Sequence, residues 1–93
     1  MQIKLSKRFI KEFEKLPTKV KSLVIVILKK LETVDTLLGF PDCKRIQGYK
    51  EEYYRIRIAN YRLGFEVVNN EIKAIHIMTI SSRGDIYKTF PSK

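Results

Sequence analysis

Residues 53–68, YYRIRIANYRLGFEVV, alternate with a period of two on either side of Ala59-Asn60. No other stretch constrains the chain as tightly, because this pattern is that of a β-hairpin with one apolar and one charged face. Tyr54, Ile56 and Ile58, then Tyr61, Leu63, Phe65 and Val67, fall on one side. Tyr53, Arg55 and Arg57, then Arg62, Gly64, Glu66 and Val68, fall on the other. A two-residue turn at Ala59-Asn60 sets Ile58 opposite Tyr61, Arg57 opposite Arg62 and Arg55 opposite Gly64. Ala-Asn lacks the Asn-Gly signal usual in such turns.

Three arginines on one face, two of them opposite each other, oppose the folding of the hairpin. At ~6 Å two such charges repel by about 0.7 kcal/mol in water and about 3 kcal/mol at an effective dielectric of 20. A polyanion bound across this face would relieve the repulsion, and Gly64 would let a ligand approach the backbone. The competing account is a solvated outer face of an antiparallel sheet.

The remaining elements follow from periodicity and breaks. Gln2 to Leu5 reads as a short strand and Ser6 as the cap of a first helix bearing Phe9, Phe13 and Leu16. Pro17 breaks that helix, and Thr18 is placed to cap a second one over Lys19 to Thr36. Val20, Leu23, Val24, Ile27, Leu28, Leu31 and Val34 form its apolar stripe. Ile25 and Val26 lie off the stripe, either as stray surface residues or as part of a partner-binding surface. Gly39 and Pro41 stop the helix, and Cys43 to Lys50 reads as a loop. Asn69-Asn70 reads as a second tight turn, which sets Lys73 opposite Glu66, and Glu71 to Ile80 as the last strand. The class is α+β: a strand, a helical hairpin, then an antiparallel three-stranded meander with the helices on one face. The arginine face is expected to stay open.

Ninety-three residues make a single domain, 1–93, that buries a little over ~60% of its unfolded surface. The net charge of +9 favours nucleic acid or an acidic protein as partner. Residues 1–34 carry nine Lys/Arg against three Glu, so much of this charge lies on the helices. Cys43 is the only cysteine, which leaves no disulfide framework or metal cluster and points to a reducing, cytoplasmic setting. The longest apolar run, Leu23 to Leu28, is too short to span a membrane.

The residues favour phosphate chemistry by cation. There is no Gly-rich phosphate loop, no zinc spacing and no Ser-His-Asp candidate, and the single histidine, His76, lies within an apolar strand. Arginine's planar fork matches phosphate oxygens. RNA brings its own nucleophile, so an enzyme that aligns the 2′-hydroxyl with the phosphorus and stabilises the developing charge cleaves without a metal or other cofactor. Tyr87 and Tyr53 offer rings for stacking on a splayed base, with core filling as the competing use of each. From the residues alone the reading stops at a basic RNA-binding or RNA-cleaving domain.

The LPTKV break, the RIQG loop, the YRIRIANYRLGFEV segment and the closing ISSRGDIY together resemble the RelE/ParE superfamily of bacterial toxins, over almost the whole chain. The family fold is the strand, helix pair and meander already read. The resemblance implies a toxin of the RelE branch, a ribonuclease that cuts messenger RNA in the ribosomal A site by 2′-hydroxyl attack. It implies that Arg55 and Arg57 fill the paired basic positions, Arg62 and Arg83 contact phosphate, and Tyr87 stacks on a base or orients the hydroxyl. Lys44, Arg45, Lys50 and Tyr53 complete the expected RNA-binding set. The paired basic positions are lysines in many relatives, and arginine does not deprotonate in proteins. Many relatives also carry His where this chain has Ser82. No obvious general acid or base remains. The implied partners are a cognate antitoxin and messenger RNA on the ribosome, with a monomeric free toxin, a hetero-oligomer with antitoxin and no membrane. The alternatives are a ParE-type toxin acting on DNA gyrase through the helix hairpin and the tail, and a catalytically silent antitoxin-binding relative.

Overall fold

The computed structural model describes residues 1–69 and 73–91, without the side chains of Tyr87 and Thr89. Eight elements follow in order: β1 (Gln2–Leu5), α1 (Lys7–Glu14), α2 (Thr18–Thr33), β2 (Cys43–Arg45), β3 (Glu52–Ile58), β4 (Tyr61–Asn69), β5 (Lys73–Ser82) and α3 (Ile86–Thr89). The strands form one mixed sheet in the order β1-β5-β4-β3-β2, with β1 parallel to β5 and the other pairs antiparallel. The meander is present as read, widened by one strand at each edge.

The first hairpin has the expected register: Ile58 opposite Tyr61, Arg57 opposite Arg62 and Arg55 opposite Gly64. Ala59 supplies the positive φ of the turn, at 54°. Alternation then sends Ile56, Ile58, Leu63, Phe65 and Val67 to the helix side, where they meet Phe9, Leu16, Val24 and Leu31 in one buried cluster. Ser6 caps α1, its Oγ accepting from the Phe9 amide at 3.0 Å.

Several boundaries depart from expectation. The helix α2 begins at Thr18 with Pro17 at the cap position and no side-chain cap bond. It ends at Thr33 instead of Thr36, because Val34 turns extended. The Met1 amino group donates to the carbonyls of Leu31, Glu32 and Val34, a cation where the helix dipole is negative. The expected loop after Pro41 contains β2, paired with β3 from Cys43 opposite Ile56 to Arg45 opposite Tyr54. Three residues are too few for alternation to reveal a strand. The second turn also differs. β4 continues through Asn69, which pairs with Lys73, so Glu66 stands opposite His76 instead of Lys73. Asn69 is therefore a strand residue, and Asn70 lies outside the described residues.

The face away from the helices is not fully open. A second cluster sits there, formed by Tyr53, Ile86 and Phe90 with Ile46 and Met78 packed against it. α3 and Phe90 after it fold back over the sheet. A β-carbon on Gly64 would lie 2.8 Å from the Phe90 ring, so the space beside the Gly64 backbone holds Phe90 and not a ligand.

Candidate active site

Beyond the Phe90 cover, one row of side chains runs from the approach to β2 across β3, β4 and β5. Asp42, just before β2, lies beside Arg57 on β3; Arg57 faces Arg62 on β4; Arg62 faces Ser81 on β5. The row spans about three strand spacings, roughly 14 Å. The Arg57 amide donates to the Asp42 carbonyl at 3.1 Å, and its Nη2 reaches Asp42 Oδ1 at 3.2 Å. More than half of each of these two side chains is exposed. Arg62 is half-buried, with Nη1 donating to the Tyr61 carbonyl at 3.0 Å. The next row holds Lys44, Arg55, Gly64 and Thr79. Four cations, Lys44, Arg55, Arg57 and Arg62, therefore share one side of the sheet.

Arg83 joins this end by continuing the ladder. Its amide donates to the Asn60 carbonyl at 3.0 Å, which seats the residue beside the β3–β4 turn, and its side chain is exposed. Tyr87 lies within α3, whose Ile86 packs on Tyr53 and Met78. Its backbone is on the arginine side of the sheet, and its side chain lies outside the described residues.

Three expected RNA-binding residues are placed differently. Tyr53 is 3% exposed, with its ring edge-on to Phe90 at 5.6 Å and to Tyr49 at 5.5 Å, so it fills the second core and presents no stacking surface. Arg45 pairs with Tyr54, a residue of the helix side, so alternation along β2 turns Arg45 away from Arg57. Lys50 is exposed ahead of β3, at the end remote from Arg57. Of that group Lys44 and Tyr53 share the arginine face, and only Lys44 is exposed there.

The sequence reading passed over Asp42, Ser81 and Glu12. Glu12 closes the edge of β5 past the end of β1: its Oε1 accepts from Thr79 Oγ1 at 2.6 Å and from the Ile80 amide at 3.1 Å. Thr79 Oγ1 lies 3.1 Å from Ser81 Oγ. The strand is bulged there, opposite Gly64 and Phe65. A bulge re-aims side chains, and here it brings Met78 under the tail while Thr79 faces Gly64 and Ser81 faces Arg62. Glu12 carries no signal of its own as one of many charged residues on α1. Asp42 reads in sequence only as part of the Gly39–Pro41 helix stop.

Burial pushes the Cys43 thiol up from 9.0 to about 11 against the opposing pull of Arg55, which keeps it protonated and poorly nucleophilic. Asp85 is held below the usual carboxylate range by the Ser82 hydroxyl and then by Lys88. Among the described residues no three His, Cys, Asp or Glu stand close enough to hold a metal ion, and no helix is long and apolar enough to cross a membrane.

A family model of the ParE toxin of type II toxin–antitoxin systems matches residues 3–87. The chain belongs to the RelE/ParE family of toxins. Toxin RelE3 of Methanocaldococcus jannaschii is 32% identical over 92 residues, covering 98% of this toxin and all of that one. Two solved structures share its architecture. The RelB–RelE antitoxin–toxin complex of Methanococcus jannaschii superposes with a TM-score of 0.75 at 32% identity, over 95% of this toxin and 99% of that chain. The RelE–RelB complex of Pyrococcus horikoshii gives 0.75 at 25% identity, over 89% and 94%. The toxin has the five-stranded sheet with a helix pair on one face that these structures display.

Proposed function

We propose that the toxin is a metal-independent endoribonuclease of the RelE type, cutting messenger RNA in the ribosomal A site by 2′-hydroxyl attack. The observation that carries this reading is the facing pair of exposed Arg57 and half-buried Arg62 beside Arg55 and Lys44, with Arg83 at the same end. Guanidinium groups fixed on adjacent strands stabilise the negative charge of a phosphorane transition state without reorganising. Arg57, Arg62 and Arg83 hold the scissile phosphate, Arg55 and Lys44 the neighbouring backbone, and Tyr87 stacks on a base. A ribosome supplies the aligned messenger, which places the toxin's action in the cytoplasm.

The partner that silences it is an antitoxin, as in the RelB complexes of the two archaeal relatives. An acidic segment is complementary to a chain of net charge +9. The free toxin is a monomer in this reading and a hetero-oligomer when neutralised.

The test is induction in cells, with the 5′ ends of translated messages mapped by primer extension. The toxin creates new ends within codons. Arg62→Ala and Arg83→Ala each abolish these ends and lift growth arrest while the circular dichroism spectrum stays that of the parent. Undiminished toxicity in both variants would place the site elsewhere. The match to the ParE model favours a second reading, a gyrase poison that uses the exposed Leu23, Ile25 and Val26 of α2. It predicts that DNA replication stops first, with messages intact.

A further inference from the structure

The proposed cleavage needs a group that removes the proton of the 2′-hydroxyl, and the arginines cannot do so. We infer that Asp42 is the general base, the carboxylate that ends the Asp42–Arg57–Arg62–Ser81 row. This inference rests on the ribonuclease reading above.

Two observations converge on Asp42. First, tertiary pairing brings it to the arginines: fifteen positions earlier in sequence, it touches Arg57 through both backbone and side chain, at 3.1 and 3.2 Å. Second, Arg57 engages Oδ1 only. Among the described residues Oδ2 has no bonded partner, and the side chain is open to solvent, so a ligand reaches the carboxylate.

The row also orders the reaction. A phosphate seated over Arg57 and Arg62 has Asp42 at one end and Ser81 and Arg83 at the other. Asp42 takes the proton from O2′ as the O2′–P bond forms. The P–O5′ bond breaks on the far side, and the departing O5′ takes a proton from water. The products are a 2′,3′-cyclic phosphate and a 5′-hydroxyl, and the Asp42 carboxyl returns its proton to solvent. The nucleoside that supplies the nucleophile therefore lies toward β2, and the leaving nucleoside toward β5 and the tail.

The experiment is single-turnover cleavage of a defined messenger on ribosomes with an empty A site, using wild type, Asp42→Asn, Asp42→Ala and Asp42→Glu. Asparagine keeps an oxygen for Arg57 and loses only the basicity. The expected result for Asp42→Asn and Asp42→Ala is a saturated rate lower by about a hundredfold or more, with half-saturation unchanged or tighter, and partial rescue by Asp42→Glu. Wild-type cleavage by Asp42→Asn overturns the inference. So does a slow Asp42→Ala beside a normal Asp42→Asn, because the residue would then only position Arg57. Wild type that makes no cut overturns the nuclease reading itself, a different outcome from wild type and Asp42→Asn cutting alike. Thermal melting of each variant precedes the assay, and Asp42→Ser replaces any variant that fails to fold.

Discussion

Gly64 shows how one residue serves two surfaces. Its missing side chain leaves the space that the Phe90 ring fills, while Arg55 stands opposite it on β3. In Gly64→Ala the new carbon would sit 2.8–3.0 Å from three ring atoms, and either Phe90 moves or the strand does. Such overpacking costs about 1–3 kcal/mol. Urea unfolding should show that loss, and chymotrypsin should release the tail faster than in the parent. Cys43 yields a prediction of opposite character. With its pKa at about 11, the thiol is protonated at pH 8, so iodoacetamide should alkylate the folded protein far more slowly than the urea-unfolded chain. The sign of the linkage follows: the folded state holds this proton more tightly, so stability falls as pH rises from 9 towards 11. Both residues are simple in sequence, and their surroundings decide what they do.

At the scale of elements, β5 is held from three sides. β4 pairs along its length, β1 pairs only as far as Ile77, and α1 takes over the exposed edge through Ser6 and Glu12. Thr79 is completely buried, and its hydroxyl depends on the Glu12 carboxylate and Ser81. Removing the acceptor with Glu12→Ala leaves buried donors unsatisfied, at about 1–3 kcal/mol. For a domain of this size that lowers the melting temperature by roughly 4–8 °C per kcal/mol. Glu12→Gln retains an acceptor oxygen and should cost less, which differential scanning calorimetry resolves. A carboxylate on α1 thus supports the bulge that sets Ser81 against Arg62. β2 does similar work at the other edge, carrying Asp42 and Lys44 to the flank of β3. Neither arrangement is legible in sequence, because Glu12 is separated from Thr79 by 67 positions and β2 is too short to show a period.

At the scale of the whole molecule, the helices and the tail divide the sheet between them. The helix side is closed by the large core around Ile56, Leu63 and Phe65, and the second face is half closed by Ile86 and Phe90. What stays accessible is the end bearing Asp42, Arg57, Arg62 and Arg83. Charge repulsion there is tolerable because Asp42 offsets Arg57 and solvent screens the exposed groups. The expectation of a wholly open arginine face overlooked the ring of Phe90, since a short apolar tail carries no statement of what it packs against.

The chain by itself determined the hairpin, its register and the face that carries Arg55, Arg57 and Arg62. Those follow from alternation within a dozen neighbouring residues, where the pleat leaves a side chain only two directions. Tertiary structure decided which of these arginines remain exposed, that Tyr53 belongs to a core and Arg45 to the other face, and that Asp42 meets Arg57. Such contacts join segments far apart in sequence, and only the packed sheet, its bulge and its folded-back tail bring them within bonding distance.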